Sequence, residues 1–336
     1  MQQQSVPTPE RIFNIFTAYQ QSGVLRGAIE LDFFTAIGEG NTTVEALAKR
    51  CQASTRGIRT LADYLTVMGL LTKNGLSYEL AADAVMFLDR RSQAYIGSAI
   101  QFLVGNSMID TFKDVAGAVR KGGTKLPGAG TVEPENPIWV DFAKGMASLM
   151  FPNAQAMANI AGTTSSKSKV LDIAAGHGVF GIVMATKNPN AHIVALDWPK
   201  VLEVAEDNAR RFNVIDRWSK LPGDALSVDY GTDYDLVLLT NFLHHFSPAD
   251  CEKILRKVHA ALKPTGRLMT LEFVPNDDRV SPPVPAMFSM IMLTGTQSGD
   301  AYTFAELDKM MRNAGFSKSE LHDLPGLPQN VIVSHA

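Results

Sequence analysis

The chain has 336 residues, of which 46% are hydrophobic and 19% charged, and its formal net charge is −3. This length favours two domains, and the absence of a block of like charge argues against nucleic acid or an anionic membrane as a partner. The two cysteines, Cys51 and Cys251, lie far apart, which excludes a disulfide framework and a CxxC zinc pattern and fits a reducing cytoplasm. The first ten residues are polar and no apolar run reaches membrane-spanning length, so neither a signal peptide nor a membrane segment is predicted.

Residues 1–100 carry the signals of several helices followed by a hairpin. An amphipathic helix is predicted near the N-terminus, and a second one over 24–37. Residues typical of helix N-termini are, in chain order, Thr8-Pro9, Thr42 with Glu45, and Ser54. The segment 73–76, Lys-Asn-Gly-Leu, predicts a hairpin turn between two short strands. The order of these elements is typical of a winged-helix-like domain.

A winged helix suggests two functions, DNA binding or packing against another chain. The helix in the position of a recognition helix begins at Ser54 and carries Arg56 and Arg59, but is otherwise mostly apolar. A DNA reader needs more charge to neutralise phosphates. The pattern therefore favours packing.

Residues 101–165 read as connecting helices, and from residue 166 apolar strands alternate with amphipathic helices. The predicted strands are 170–173, 192–196, 236–239 and 267–273, with helices at 180–186, 201–212 and 249–262 and two closing strands at 320–324 and 331–334. Short buried strands separated by helices predict an α/β domain with a mostly parallel, Rossmann-like sheet.

The first strand of this region runs into a loop of small residues, Ala174-Ala175-Gly176-His177-Gly178, and then into a helix. Glycines at such a turn let the backbone approach a ligand closely. The second strand ends in Asp197, where a carboxylate suits the two hydroxyls of a ribose. The dinucleotide pattern GxGxxG is broken here, which favours an adenosyl ligand without phosphates.

Two adjacent histidines, His244 and His245, follow the strand 235–239 and precede a helix that Ser247 and Pro248 should start. Ligand sites gather at the carboxyl ends of parallel strands, so one of these histidines is a candidate general base. A histidine with a pKa of about 6.5 can take a proton from a ligand group as that group reacts. The residue pattern alone does not choose between them.

The next strand ends in Glu272. A carboxylate at the same sheet edge could orient the base and stabilise its charged form, although an exposed glutamate at a strand end is also common.

These motifs resemble the plant-type small-molecule O-methyltransferases and their bacterial relatives over nearly the whole chain. The segments 171–178, 196–199 and 223–226 resemble the first methyltransferase motif, the ribose-binding strand end and the adenine-contacting segment. The resemblance implies S-adenosylmethionine as cofactor, a small aromatic or polyketide-like acceptor, and a homodimer formed through the N-terminal domain. It also aligns His244 with the base of the family and Glu272 with its supporting acid.

The resemblance further implies a cofactor set and an acceptor set. The implied cofactor-binding residues are Asp172, Gly176, Gly178, Asp197, Trp198, Asp224, Ala225, Thr240 and Asn241. The implied acceptor-contacting residues are Phe142, Met146, His245, Met292 and Thr296, although without the family the methionine-rich segment 284–293 reads equally well as a core helix. No metal is implied.

Three positions depart from the family. Ala174 and Ala175 replace glycines, and Ala301 stands where a second supporting glutamate is expected, with Asp300 and Tyr302 as possible substitutes. The last departure leaves open C-methylation or another S-adenosylmethionine-assisted reaction. An alternative of another class is a DNA-binding regulator that senses S-adenosylmethionine.

Overall fold

The computed structural model describes residues 7–162 and 166–336, and its contacts divide the chain into two compact units, Met1–Gly105 and Asn106–Ala336. The polar start of the chain and the predicted domain boundary at residue 165 lie outside the described residues. No helix within the described ranges is long and apolar enough to cross a membrane.

The first unit is mainly helical, with one antiparallel hairpin, in the order that the sequence predicts. Its elements are α1 (Glu10–Glu30), α2 (Phe33–Gly38), α3 (Val44–Arg50), α4 (Thr55–Val67), β1 (Leu71–Asn74), β2 (Ser77–Leu80), α5 (Ala82–Phe87) and α6 (Ile100–Leu103). Ser54 caps α4 as predicted, accepting a hydrogen bond from the Gly57 N–H at 3.1 Å.

Three boundaries in this unit differ from the prediction. Helix α1 begins at Glu10, with Pro9 and not Thr8 in the cap position and without a side-chain cap. The expected separate helix over 24–37 does not form, because α1 continues through Gly23 and Gly27 and breaks only at Asp32. Glycine inside a helix costs only about 1 kcal/mol, whereas Asp32 takes a left-handed conformation that ends the helix. The cap of α3 is Thr43, not Thr42.

The basic residues of the candidate recognition helix are partly neutralised within the first unit. Arg59 forms an ion pair with Asp63 at 2.9 Å, and Lys73 of the hairpin reaches the same carboxylate at 2.6 Å. This pairing removes charge that a DNA-binding face would need.

The second unit alternates helices and strands. Its helices are α7 (Asn106–Thr111), α8 (Val115–Lys121), α9 (Ile138–Ala161), α10 (Val179–Lys187), α11 (Pro199–Arg211), α12 (Pro248–Ala261), α13 (Pro283–Gly295) and α14 (Phe304–Asn313). Its strands are β3 (Ser168–Ile173), β4 (Ala191–Asp197), β5 (Trp218–Pro222), β6 (Tyr234–Thr240), β7 (Leu262–Glu272), β8 (Lys318–Asp323) and β9 (Asn330–His335).

These seven strands form one sheet in the order β5-β4-β3-β6-β7-β9-β8. Strand β9 runs antiparallel to both neighbours, and the remaining pairings are parallel. The predicted α/β class with a mostly parallel sheet is therefore confirmed. The chain leaves β3 towards β4 and β5 and then returns to β6 on the other side, so ligands are expected outside the carboxyl ends of β3 and β6.

Strand β5 was missed by sequence reasoning. It has five residues at the sheet edge, alternates between more and less buried positions and ends in Pro222. Such a short edge strand has no continuous apolar run, which was the signal used for the buried strands.

Candidate active site

The loop between β3 and α10 is built from residues with unusual backbone angles. Ala174, Gly176 and Gly178 all have positive φ, at 52°, 57° and 72°. A left-handed conformation costs an alanine about 1 kcal/mol relative to glycine, so the replacement of glycine by Ala174 is tolerated at a modest cost.

The two glycines of the loop, Gly176 and Gly178, approach different parts of the structure. A Cβ on Gly176 would lie 3.2 Å from the Phe142 ring, whereas one on Gly178 would lie 3.0 Å from Cβ of Ala205 on α11. Gly178 therefore serves the packing of α11, and Gly176 faces the predicted acceptor residue Phe142. The Phe142 ring also stacks on His177, with centroids 5.7 Å apart.

Asp197 lies at the carboxyl end of β4, beside this loop, and is 9% exposed. Its carboxylate accepts hydrogen bonds from the backbone N–H groups of Gly176 at 2.8 Å and Trp198 at 2.7 Å. Burial raises the pKa of Asp197 to about 6. Two N–H donors leave further lone pairs of the carboxylate available, so ribose hydroxyls fit this site as additional donors.

Asp172 and His177, in contrast, are buried and form hydrogen bonds within the protein. Asp172 is fully buried, accepts a hydrogen bond from the Gly181 N–H of α10 at 3.0 Å, and has a pKa that burial raises to about 8. His177 accepts from the Val179 N–H at 3.2 Å, and burial lowers its pKa to about 4. At neutral pH both side chains are therefore predominantly uncharged, and both tie the loop to α10.

The predicted adenine-contacting segment forms a tight turn after β5. The Asp224 carboxylate accepts from the Leu226 N–H at 2.9 Å, and the Ala225 carbonyl accepts from the Tyr230 hydroxyl at 2.6 Å and from Lys257 at 3.0 Å. The segment is thus held rigidly by its own contacts.

Thr240 and Asn241 follow at the end of β6. Thr240 is buried, and Asn241 has a φ of 53°. The Asn241 side chain accepts a hydrogen bond from Gln329, whose own carbonyl accepts from Asn153 of α9 at 2.9 Å. Gln329 and Asn153 are each 1% exposed. This buried amide network was not found from the sequence, because its members are far apart along the chain.

The two histidines lie in a short 3-10 turn, Leu243–His245, between β6 and α12. Ser247 caps α12 by accepting from the Asp250 N–H at 3.2 Å, with Pro248 at its first position, as predicted. Because β6 and β7 are parallel neighbours, their carboxyl ends bring this turn beside Glu272.

Glu272 is satisfied by three donors from the histidine turn. Its Oε1 accepts from the N–H groups of Phe242 at 3.1 Å and Leu243 at 2.9 Å, and its Oε2 pairs with Nδ1 of His244. The two side chains are almost completely buried, at 4% exposure for His244 and 2% for Glu272. An ionised Glu272 carboxylate can only accept hydrogen bonds, so its pairing with His244 requires a proton on Nδ1.

Aromatic rings surround the histidines. Phe288 of α13 lies edge-to-face against His244 at 4.8 Å between centroids, and Phe273 stacks on Phe288 at 4.1 Å. Trp139 of α9 contacts His245 at 5.1 Å. None of these three residues was predicted. Trp139 could have been found, because it lies three residues before Phe142 and seven before Met146 on one face of a helix.

His245 is held against His244, with ring centroids 4.3 Å apart. Burial, together with the neighbouring His244, lowers its pKa well below the usual value. His245 is therefore uncharged at neutral pH.

The remaining predicted acceptor residues are buried. Met146 is 6% exposed and Met292 is 4% exposed. Thr296 is fully buried at the end of α13, where its hydroxyl donates to the Met292 carbonyl at 2.7 Å and accepts from the Gly299 N–H at 2.9 Å. The Thr296 hydroxyl is thus already engaged by the protein.

The structure also describes the position of the missing second glutamate. Ala301 is fully buried, and Asp300 beside it forms an ion pair with Arg279 at 3.1 Å. Tyr302 donates a hydrogen bond to the Phe246 carbonyl at 2.5 Å. The described contacts of Asp300 and Tyr302 do not include the His244 ring. Within residues 7–162 and 166–336, no cluster of three or more His, Cys, Asp or Glu side chains could hold a metal ion.

The sheet order, the loop after β3 and the buried acid at the end of β4 define a Rossmann-type methyltransferase. Comparison with known families agrees: residues 129–317 match the O-methyltransferase domain, and residues 13–90 match the O-methyltransferase dimerisation domain. The chain belongs to the O-methyltransferase family and is an S-adenosylmethionine-dependent enzyme. The match of the first unit to a dimerisation domain favours packing over DNA binding.

Individual proteins show the same relationship. The tetracenomycin polyketide synthesis 8-O-methyl transferase of Streptomyces glaucescens is 25% identical over 92% of this chain and 91% of its own length. The crystal structure of a presumed O-methyltransferase from Nostoc punctiforme PCC 73102 matches with a TM-score of 0.94 and 49% identity, covering 99% of this chain and 100% of that one. Human N-acetylserotonin methyltransferase in complex with S-adenosylmethionine has the same fold, with a TM-score of 0.85, 22% identity and 99% coverage of both chains.

The position of Asp197 predicts how cofactor affinity depends on pH. We expect the ribose hydroxyls of S-adenosylhomocysteine to bind the ionised Asp197 carboxylate, so the affinity for this ligand should fall as the pH drops through the pKa of about 6. The loss should be about tenfold at one pH unit below that value. Asp197→Asn should weaken binding about ten- to a hundredfold and remove this inflection, because hydrogen bonds to a charged group are lost. Calorimetric titration measures both effects.

Asp172→Asn is the matched control, since Asp172 contacts α10 and its pKa is raised to about 8. This variant should keep the inflection near 6. An unchanged inflection in Asp197→Asn would contradict the assignment of Asp197 to the ribose.

Proposed function

We propose that this enzyme methylates a hydroxyl group of a small aromatic or polyketide-like molecule, with His244 as the general base. The observation that carries this proposal is the buried pairing of His244 Nδ1 with Glu272 at the carboxyl ends of β6 and β7. That pairing leaves Nε2 free to accept the proton of the acceptor hydroxyl.

The fit of S-adenosylmethionine rests on Asp197, the Gly176 backbone and the rigid turn at Asp224 and Ala225. When bound, this cofactor supplies an electrophilic methyl group. His244 removes the hydroxyl proton as the oxygen attacks, and Glu272 steadies the imidazolium that forms. The rings of Trp139 and Phe288 lie against His245 and His244 and would limit water around the reacting oxygen.

We infer the acceptor class from the aromatic rings that lie against the two histidines and against one another. The rings of Trp139, Phe142, Phe273 and Phe288 suit a flat apolar molecule, and the uncharged His245 offers a polar group without a charge. The relative from Streptomyces glaucescens is named as an 8-O-methyl transferase of tetracenomycin polyketide synthesis. Together these observations support a neutral aromatic or polyketide-like phenol.

Substitution of the two histidines separates their roles. His244→Ala should lower turnover by about a hundred- to ten-thousandfold, the usual contribution of a general base, while the affinity for S-adenosylhomocysteine stays nearly unchanged. His245→Ala should cause the smaller loss of turnover. The assay is a screen of phenolic acceptors with methyl-deuterated S-adenosylmethionine, read by mass spectrometry, followed by steady-state kinetics on the acceptor found.

Two results would contradict the proposal. A larger loss of turnover in His245→Ala would transfer the role of base to His245. A deuterated methyl group located on carbon by NMR of the product would instead favour C-methylation, the alternative that Ala301 leaves open.

We also propose that the chain forms a homodimer through the exposed half of α1. Five large apolar side chains between residues 12 and 19 are 44–72% exposed, namely Ile12, Phe13, Ile15, Phe16 and Tyr19. Isolated apolar residues at a surface are common, but a continuous stripe of this size marks a contact site. Most of this stripe lies within the matched dimerisation domain.

Placing two charges on this stripe should therefore dissociate the dimer. Phe16→Glu combined with Tyr19→Glu should sediment with the mass of one chain, because two carboxylates would be buried without partners. Asn14→Glu combined with Gln21→Glu adds the same charge on the opposite face of α1 and should sediment as two chains. Equal masses for both double variants would refute this interface.

A further inference from the structure

The histidine turn is also held by two groups that the mechanism above does not use, the Tyr302 hydroxyl and the Cys251 thiol. Tyr302 is 6% exposed, and its hydroxyl donates to the Phe246 carbonyl at 2.5 Å. The Cys251 thiol donates to the Leu243 carbonyl at 3.2 Å. Leu243 and Phe246 flank the two histidines, so the turn is held at both of its ends.

The backbone after α13 closes on the same turn. A Cβ on Gly299 would lie only 2.2 Å from the His244 carbonyl oxygen, closer than real Cβ atoms approach. Only glycine permits this contact. The segment that leads to Ala301 and Tyr302 is therefore pressed directly against the backbone of the proposed base.

The family resemblance predicts a second glutamate near the base in this segment. No glutamate stands there among the described residues. Ala301 has no carboxylate, and Asp300 is engaged by Arg279 at 3.1 Å. Burial raises the pKa of Tyr302, which keeps its hydroxyl protonated and able to donate. A neutral donor can fix the backbone of the turn, but it cannot stabilise the charged imidazolium as a carboxylate would.

We infer that Tyr302 is a positioning residue for His244. Tyr302 acts through the Phe246 carbonyl and anchors the turn. In this way it orients His244, as the second carboxylate, which this chain lacks, would otherwise do. Glu272 holds the N–H groups at the start of the turn, and Tyr302 holds the carbonyl near its end. The imidazole then keeps the orientation in which Nδ1 meets Glu272. This inference rests on the proposed role of His244 as the base.

Tyr302→Phe tests the inference, with Tyr234→Phe as a matched control. Tyr234 is 2% exposed and its hydroxyl donates to the Tyr230 carbonyl at 2.8 Å, so both substitutions remove one hydroxyl-to-carbonyl hydrogen bond from the same buried core. A purely structural role for Tyr302 would make the two variants behave alike. Both should show similar, modest decreases in Tm.

The first readout is the solvent-exchange rate of the His244 Nδ1 proton, followed by NMR in the whole protein without acceptor. Tyr302→Phe should speed this exchange at least about tenfold relative to Tyr234→Phe, because the turn opens locally. The second readout is kinetic. Tyr302→Phe should lower kcat about ten- to a hundredfold with little change in the KM for S-adenosylmethionine, as expected for a misplaced base, and Tyr234→Phe should keep kcat within about twofold.

Equal exchange rates and equal kcat values in the two variants would overturn the role of Tyr302. That failure is distinguishable from failure of the proposed function. If His244→Ala remains active, His244 is not the base; if His244→Ala is inactive while Tyr302→Phe behaves like Tyr234→Phe, only the positioning role is wrong.

Discussion

The hydrogen bond between His244 and Glu272 is the interaction on which the acceptor side of the site depends. A carboxylate that is 2% exposed is tolerated only if donors surround it, and the histidine turn supplies three. The same contacts fix the imidazole and select its tautomer. The parallel pairing of β6 and β7 makes this possible, because it brings the ends of two strands to one edge of the sheet.

The two sides of the site are built differently. On the cofactor side, the polar contacts come mainly from backbone N–H groups and one buried acid, Asp197, which is suited to a ligand with hydroxyl groups. On the proposed acceptor side, aromatic rings lie against three titratable side chains, His244, His245 and Glu272. The proposed acceptor side also contains Ala301, at the position where the family resemblance predicts a glutamate, and the Tyr302 hydroxyl that we infer to anchor the histidine turn.

Sequence reasoning predicted most of the second unit, because its buried strands and helix caps leave clear local signals. His244 and Glu272 were proposed as a pair because His244 follows one buried strand and Glu272 ends the next, and the structure brings their side chains together. The same logic cannot tell a ligand contact from an internal one. Asp172 and Thr296 have the residue types expected of binding groups, yet their described hydrogen bonds are made within the protein.

What the sequence missed depends on contacts between distant segments. Phe288 meets His244, and Gln329 meets Asn241, only after α13 and the approach to β9 pack onto the end of β6. The close contact of Gly299 with the histidine turn is of the same kind. The break in α1 at Asp32 was missed for another reason, since a left-handed aspartate leaves a weaker local signal than glycine or proline.

The most direct test of the account is the protonation of the His244 ring in the free enzyme, measured at neutral pH from its ¹⁵N chemical shifts and assigned with a His244→Gln variant. The account predicts a proton on Nδ1 and none on Nε2. Glu272→Gln should reverse this pattern, because the glutamine amide can donate to Nδ1. A wild-type ring with its proton on Nε2 would contradict the role of His244 as a base oriented by Glu272.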